Sequence, residues 1–227
     1  MLVKDWMSKN VVTVDVNDTM QRAINLMMDH RISMVPVMDQ GKLVGVVTDR
    51  DLRRAAPSDV TLMDVRQILY HITRLNCEAI MSRNPITVPF DFTMEEAAEV
   101  LLRNNISGAP VLDKAGAIVG IITKNDMFKA FIALTGLKKR GVQFGFLLED
   151  RPGSIKEVTD VIRKYGARLV SILSSYENAP EGHRYVYVRA FHIDRNSLPL
   201  LEQELKEKAK LIYMVDHRED NRVIYEG

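Results

Sequence analysis

Across the first 135 positions, apolar and polar residues follow one order that is written twice. Short apolar runs at 11–14 and 86–88 lead to a threonine, Thr19 or Thr93. Apolar residues then recur at helical spacing, at Ala23, Ile24, Met27 and Met28 in the first copy and at Ala97, Ala98, Leu101 and Leu102 in the second. A threonine hydroxyl accepts the orphan amides of a helix start, so each copy predicts a strand followed by a capped helix with one apolar face. A second strand is expected at Val35-Pro36-Val37 or Ala109-Pro110-Val111. A glycine-containing turn follows, then a wholly apolar run at 43–47 or 118–122 and a helix opened by Thr48 or Thr123. Each copy reads β-α-β-β-α.

Shifting the chain by 74 residues lays Met7 on Met81 and Pro36 on Pro110. One extra residue in the second turn moves the offset to 75 and brings Gly45 onto Gly120, Thr48 onto Thr123 and Asp51 onto Asp126. A duplicated fold tolerates such an insertion in a surface turn. Between the copies, an amphipathic stretch through Val65, Ile68, Leu69, Ile72 and Leu75 predicts a linker helix. The expected boundaries are 1–56 and 77–135 for the repeats and 57–76 for the linker.

The pattern changes after Gly136. "GVQFGFLLED", "ARLVSILSSYEN", "HRYVYVRAFHI" and "KLIYMVDH" read as strands, with helices in "SIKEVTDVIRKYG" and "NSLPLLEQELKEKA". Residues 142–219 thus predict β-α-β-β-α-β, the ferredoxin-like order, in a chain of α/β (α+β) class.

The doubled h-h-P strand, glycine turn and G-h-h-T-x-x-D motif, "GVVTDRD" and "GIITKND", resemble a tandem pair of CBS domains, the Bateman module. The resemblance covers roughly residues 1–135. It implies two clefts for an adenosine compound: AMP, ADP, ATP or S-adenosylmethionine. In such modules the aspartate holds the ribose, and the adenine lies against the first strand and h-h-P segment of the other repeat. Carried over, one cleft joins Thr48, Arg50 and Asp51 to Ile86, Val88 and Ala109. The other joins Thr123 and Asp126 to Val12, Val14 and Val35. Arg31, just before its h-h-P strand, is a further candidate for phosphate.

T-x-x-D is also a variant of the capping box, and one residue pair can serve both purposes. The phosphate side differs between the copies, with Arg50, Arg53 and Arg54 in the first against Lys124, Asn125 and Lys129 in the second. Only guanidinium makes bidentate phosphate contacts, so unequal sites are expected.

With "DRPGSIKEV" between its first strand and helix, the C-terminal region resembles an ACT domain, which implies a ligand loop at Asp150 to Gly153, an amino acid as its possible ligand, and a homodimer. The same D-R-P-G is a good turn before a helix. The segment "YGARLVSI" departs from the G-x-N pattern of amino-acid binders, so the resemblance reaches the fold further than that ligand. The order CBS pair then ACT is similar to the bacterial acetoin utilization protein family.

Composition narrows the function classes. Of 227 residues 46% are hydrophobic, enough for substantial cores, and 31 basic against 30 acidic side chains give a net charge of +1. A near-neutral chain without a DNA-reading motif argues against a nucleic-acid-binding regulator. No apolar stretch approaches the ~20 residues of a membrane span. Cys77 is the one cysteine, so no internal disulfide or cysteine-based zinc site is expected, and the cytoplasm is the expected compartment. No nucleophile, metal set or acid/base pair supports the alternative of a nucleotide-dependent enzyme. Cys77 has no nearby activating histidine and reads as buried or inert. His30, His183, His192 and His217 have no metal-site spacing. The expectation is a non-catalytic regulatory sensor that acts on a protein the sequence does not identify, with no catalytic residue, metal or cofactor.

Overall fold

The computed structural model describes residues 1–55 and 74–225. The chain forms two compact units, Met1–Phe128 and Lys129–Gly227. The expected linker helix at 57–76 lies outside the described residues except for 74–76.

In the first unit, the first repeat supplies α1 (Val3–Trp6), β1 (Val14–Asp15), α2 (Met20–His30), β2 (Met34–Asp39), β3 (Lys42–Thr48) and α3 (Asp49–Ala55). The second supplies α4 (Cys77–Ile80), β4 (Ser82–Arg83), β5 (Val88–Pro89), α5 (Met94–Arg103), β6 (Gly108–Leu112), β7 (Ile118–Thr123) and α6 (Lys124–Thr135), whose last seven residues belong to the second unit. The expected first strands shrink to two residues each. They pair in parallel with the h-h-P strands, Val14 beside Val37 and Val88 beside Val111.

Local chemistry explains the repeated helices. Thr19 accepts from the Arg22 amide, and Thr93 forms a full capping box with Glu96. α2 buries Met20, Ala23 and Met27, while α5 buries Met94, Ala97 and Leu101 at the equivalent places. The β2–β3 and β6–β7 hairpins carry irregularities at matching points, Val37/Met38 and Val111/Leu112. Burial of Val35, Val37, Val47, Ala109, Val111 and Ile122 between these layers supplies the hydrophobic stabilisation.

The repeats interlock through their opening segments. The Val3 and Lys4 amides donate to the carbonyls of Phe92 and Phe90, and Met94 N–H donates to Met1. The same three bonds recur with the partners exchanged, Cys77 to Asp18, Glu78 to Val16 and Met20 to Leu75. Each repeat therefore gives its opening segment to the other. β4 pairs with β3 at Ser82 and Val46, and Ser8 exchanges backbone bonds of 2.9 Å with Ile121. Gly45 and Gly120 are required at these crossings. A Cβ on Gly120 would run into the Met7 side chain and approach the Ser8 carbonyl oxygen to 2.9 Å, and one on Gly45 would meet Met81 and Ser82 in the same way.

The second unit has β8 (Val142–Glu149), α7 (Ser154–Lys164), β9 (Arg168–Ser175), β10 (His183–Phe191), α8 (Leu198–Lys208), β11 (Lys210–Asp216) and β12 (Asn221–Ile224). The antiparallel sheet runs β12-β11-β8-β10-β9. Its four central and right-hand strands in this order give the ferredoxin-like arrangement, with α7 and α8 over a core of Phe144, Phe146, Val186, Val188, Leu201 and Leu205. The sheet extends past the expected boundary at 219, because β12 folds back on β11 after the turn at Asp220 and satisfies its outer edge.

On the face away from the helices, Arg189 is buried and donates from Nε to the Thr135 carbonyl and from Nη2 to Gln143 Oε1, both at 2.8 Å. A guanidinium at a helix C-terminus faces the negative end of its dipole, which offsets part of the burial cost at the end of α6. His217 Nε2 is buried nearby with no hydrogen-bond partner, and burial followed by Arg189 and Arg222 holds its pKa below the usual histidine value. The folded state therefore binds this proton less readily than the unfolded chain. Its stabilising contribution is full above the unfolded pKa of about 6.5 and is lost as pH falls through the lower folded value. The melting temperature of this unit is expected to drop between pH 7 and pH 5, and to drop less in His217→Gln. An equal drop in both would remove His217 as the cause.

Candidate functional site

The two T-x-x-D motifs fold alike. β3 ends at Thr48 and α3 starts one residue later, while β7 ends at Thr123 and α6 starts one residue later. Each turn is tied to the start of its own h-h-P strand, Asp49 N–H to the Ser33 carbonyl and Lys124 N–H to the Ser107 carbonyl. Asp51 and Asp126, only 3% and 7% exposed, are turned back onto the threonines. Asp51 Oδ2 accepts from the Thr48 amide at 2.9 Å and hydroxyl at 2.5 Å, and Asp126 Oδ2 accepts from the Thr123 amide at 3.0 Å and hydroxyl at 2.7 Å. The Asp51 amide returns a bond to Thr48 Oγ1 at 3.3 Å, so the capping role is realised.

Asp51 Oδ1 is engaged as well. It accepts from Arg54 Nη2 at 2.9 Å and from Ser82 Oγ at 3.0 Å. Ser82 belongs to the second repeat, so this carboxylate sits where the repeats cross. Sequence reasoning passed over Ser82, although "MSKN" and "MSRN" align in the repeat and mark Ser8 and Ser82 as equivalents.

The remaining predicted residues divide by exposure. Val14, Val35, Val88 and Ala109 are buried in the core. Val12 is half-buried, and Ile86 is 42% exposed with apolar surface to offer. The ladder sets Val35 beside Val47, next to Thr48, and Ala109 beside Ile122, next to Thr123. Arg50 and Arg31 are exposed. Arg31 is left-handed at φ 52° and ends α2. Arg53 is held by Asp49 at 3.0 Å and Arg54 by Asp51 at 2.9 Å.

A cavity of about 500 Å³ opens at the other end of the strands, between the hairpin turns at Gly41 to Leu43 and Ala115 to Ala117, and contains none of these residues. Its lining is mostly backbone and small side chains, with Lys42 the one charged group.

At the second unit's predicted loop, Gly153 adopts φ 89°, and a Cβ there would meet nothing within 4 Å. The glycine is demanded by its left-handed backbone, with no close approach. Asp150 accepts from Tyr176 Oη at 3.2 Å and lies 3.6 Å from Arg184 Nε, so it is held within its own fold. Cys77 is fully buried and its thiol is pushed up to about 11, chiefly by burial and then by Asp18 and Asp15. Such a thiol stays protonated and is no nucleophile. Among the described residues no three His, Cys, Asp or Glu side chains are placed to hold a metal ion, and no helix is long and apolar enough to cross a membrane.

The CBS domain family model matches residues 3–58 and 77–133. A CBS domain-containing protein of Dictyostelium discoideum is 34% identical over 132 residues, which span 58% of this chain and 91% of that protein. The L-aspartate semialdehyde sulfurtransferase of Methanocaldococcus jannaschii is 33% identical over 131 residues, 57% of this chain but 23% of that enzyme. The crystal structure of the CBS-pair protein CBSX2 from Arabidopsis thaliana superposes with a TM-score of 0.52 at 26% identity, over 61% of this chain and 96% of that one.

Proposed function

Since the chain belongs to the CBS domain family through its tandem pair, we propose that residues 1–135 are a non-catalytic regulatory sensor for an adenosine compound: AMP, ADP, ATP or S-adenosylmethionine. The observation that carries this reading is the pair of buried carboxylates at equivalent places, Asp51 and Asp126, each beside a threonine at a helix start. A carboxylate so placed accepts a ribose diol, as acidic residues do in dinucleotide folds. Thr48, Arg50 and Asp51 with Ile86, Val88 and Ala109 form one cleft, and Thr123 and Asp126 with Val12, Val14 and Val35 the other, while Arg31 adds positive charge near the first motif. The match to a sulfurtransferase spans under a quarter of that enzyme and gives no reason to assign its reaction here.

The second unit is read as an ACT domain of an acetoin utilization-type protein, serving dimerisation or a second small ligand at Asp150 to Gly153. Its ferredoxin-like strand order supports this reading. A cytoplasmic homodimer is the corresponding assembly. Met28 and Leu102, equivalent residues of the two repeats and each 72% exposed, offer matched apolar surface for a second copy.

Calorimetric titration tests the sensor reading. At least one of AMP, ADP, ATP and S-adenosylmethionine is expected to bind with no more than two sites per chain and to raise the melting temperature, because it prefers the native state. Absence of saturable binding by all four at millimolar concentration would sink the proposal.

A further inference from the structure

In the first cleft, the group assigned to ribose is already fully engaged by donors of the protein itself. A carboxylate has about four acceptor positions. All of those on Asp51 are taken, two on Oδ2 by the Thr48 amide and hydroxyl and two on Oδ1 by Ser82 and Arg54. A ribose diol reaching Asp51 has to displace donors. The Thr48 pair is part of the helix cap and is fixed by the backbone. Ser82 needs only a hydroxyl rotation. Arg54 is the large obstacle, and its side chain is 67% exposed, so it swings into water at small cost.

The displaced guanidinium stays tethered to α3. It lies four residues after Arg50, on the same face of the helix, and has lost its counter-charge. Two like charges on one face are then next to the ligand. A 5′-phosphate gives both a partner, whereas an uncharged nucleoside gives them nothing in return for the broken Asp51–Arg54 pair.

We propose that Arg54 is a specificity-determining residue of the first cleft. It covers the ribose acceptor, is displaced by the ribose and transfers to the ligand's phosphate, so the cleft selects adenosine 5′-phosphates over uncharged adenosine. This inference rests on the nucleotide reading of Asp51.

The test reads AMP and adenosine affinities by calorimetry in an Asp126→Ala background, which leaves the first cleft as the reporter. Arg54→Ala is expected to weaken AMP about tenfold, through the lost charge-assisted contact. The same change should tighten adenosine about two- to fivefold, because an exposed competitor for Asp51 is gone. Arg54→Lys, a point charge without the bidentate fork, should fall between the parent and Arg54→Ala for AMP. Arg103→Ala, an exposed arginine of α5 paired with Glu99, should leave both ligands within about twofold. Opposite shifts for the two ligands support the proposal. If Arg54→Ala moves AMP and adenosine by the same factor, or leaves adenosine unchanged, the proposal fails while the nucleotide reading stands. A background chain that binds neither ligand, where the parent also binds neither, removes both.

Discussion

Asp51→Ala and Asp126→Ala together are expected to weaken adenosine-compound binding by about a hundredfold or more, with each single change removing one class of site. A hydrogen bond to a charged acceptor is worth about 1.5–3 kcal/mol, and a diol makes two of them. The stability effect is separate and smaller. Each aspartate also closes a helix cap, which costs about 0.5–2 kcal/mol when removed. Thr19→Ala supplies the control, since Thr19 caps α2 through the Arg22 amide at 3.2 Å and lies outside both T-x-x-D motifs. It should lower the melting temperature by a comparable amount and leave affinity intact. Calorimetry on the four variants and the parent, at a temperature where each is folded, checks the pair of statements. A double mutant that binds as tightly as the parent would show that the aspartates are caps and nothing more.

Gly120→Ala is expected to destabilise the first unit by about 1–3 kcal/mol, the usual cost of forcing a methyl into a filled space. The new Cβ would stand 2.7 Å from Met7 Cγ and 2.9 Å from the Ser8 carbonyl oxygen. The methionine side chain can yield, but the carbonyl belongs to the pair of backbone bonds that hold Ser8 to Ile121. Gly45→Ala meets Met81 Cγ at 2.9 Å and the Ser82 carbonyl at 3.1 Å, and should be the milder of the two. Adding Met7→Ala to Gly120→Ala should return part of the loss. Denaturant melts of the two single variants and the double variant give the coupling energy, and amide exchange should quicken at Ser8 and Ile121. An unchanged midpoint for Gly120→Ala would contradict this account of the glycine.

The repeated elements were legible because their signals are local. Thr19 and Thr93 cap where the pattern placed them, and Met20, Ala23 and Met27 bury the face that helical spacing marked out. The six elements of the second unit up to Asp216 likewise follow alternation and 3.6-residue periodicity. Strand ends were less legible. At 11–14 and 86–88 the chain is apolar but only Val14–Asp15 and Val88–Pro89 find a ladder partner, since pairing depends on a neighbour that periodicity does not name. The site was half legible. The motif gave Thr48 and Asp51, but Arg54 reads as one more solvated base on a helix, and Ser82 reaches Asp51 across 31 residues of sequence. The Arg54 contact is local to α3, whereas the Ser82 contact depends on a tertiary crossing, and the short α1 and α4 that make it have no amphipathic signature of their own.

That crossing also changes what a repeat is. Val3 bonds to Phe92 as Cys77 bonds to Asp18, and Ser8 lies along Ile121 as Ser82 lies along Val46, so these contacts have twins with their partners exchanged. Such reciprocity is the mark of an isologous interface, the kind two identical subunits make about a twofold axis. The first unit thus has the geometry of a strand-exchanged dimer carried on one polypeptide. Duplication of the sequence supplied both subunits at once, and the covalent connection made their association independent of concentration. It also freed the two halves to diverge, so that an arginine-rich T-x-x-D segment and a lysine-bearing one sit in a frame that otherwise keeps its symmetry.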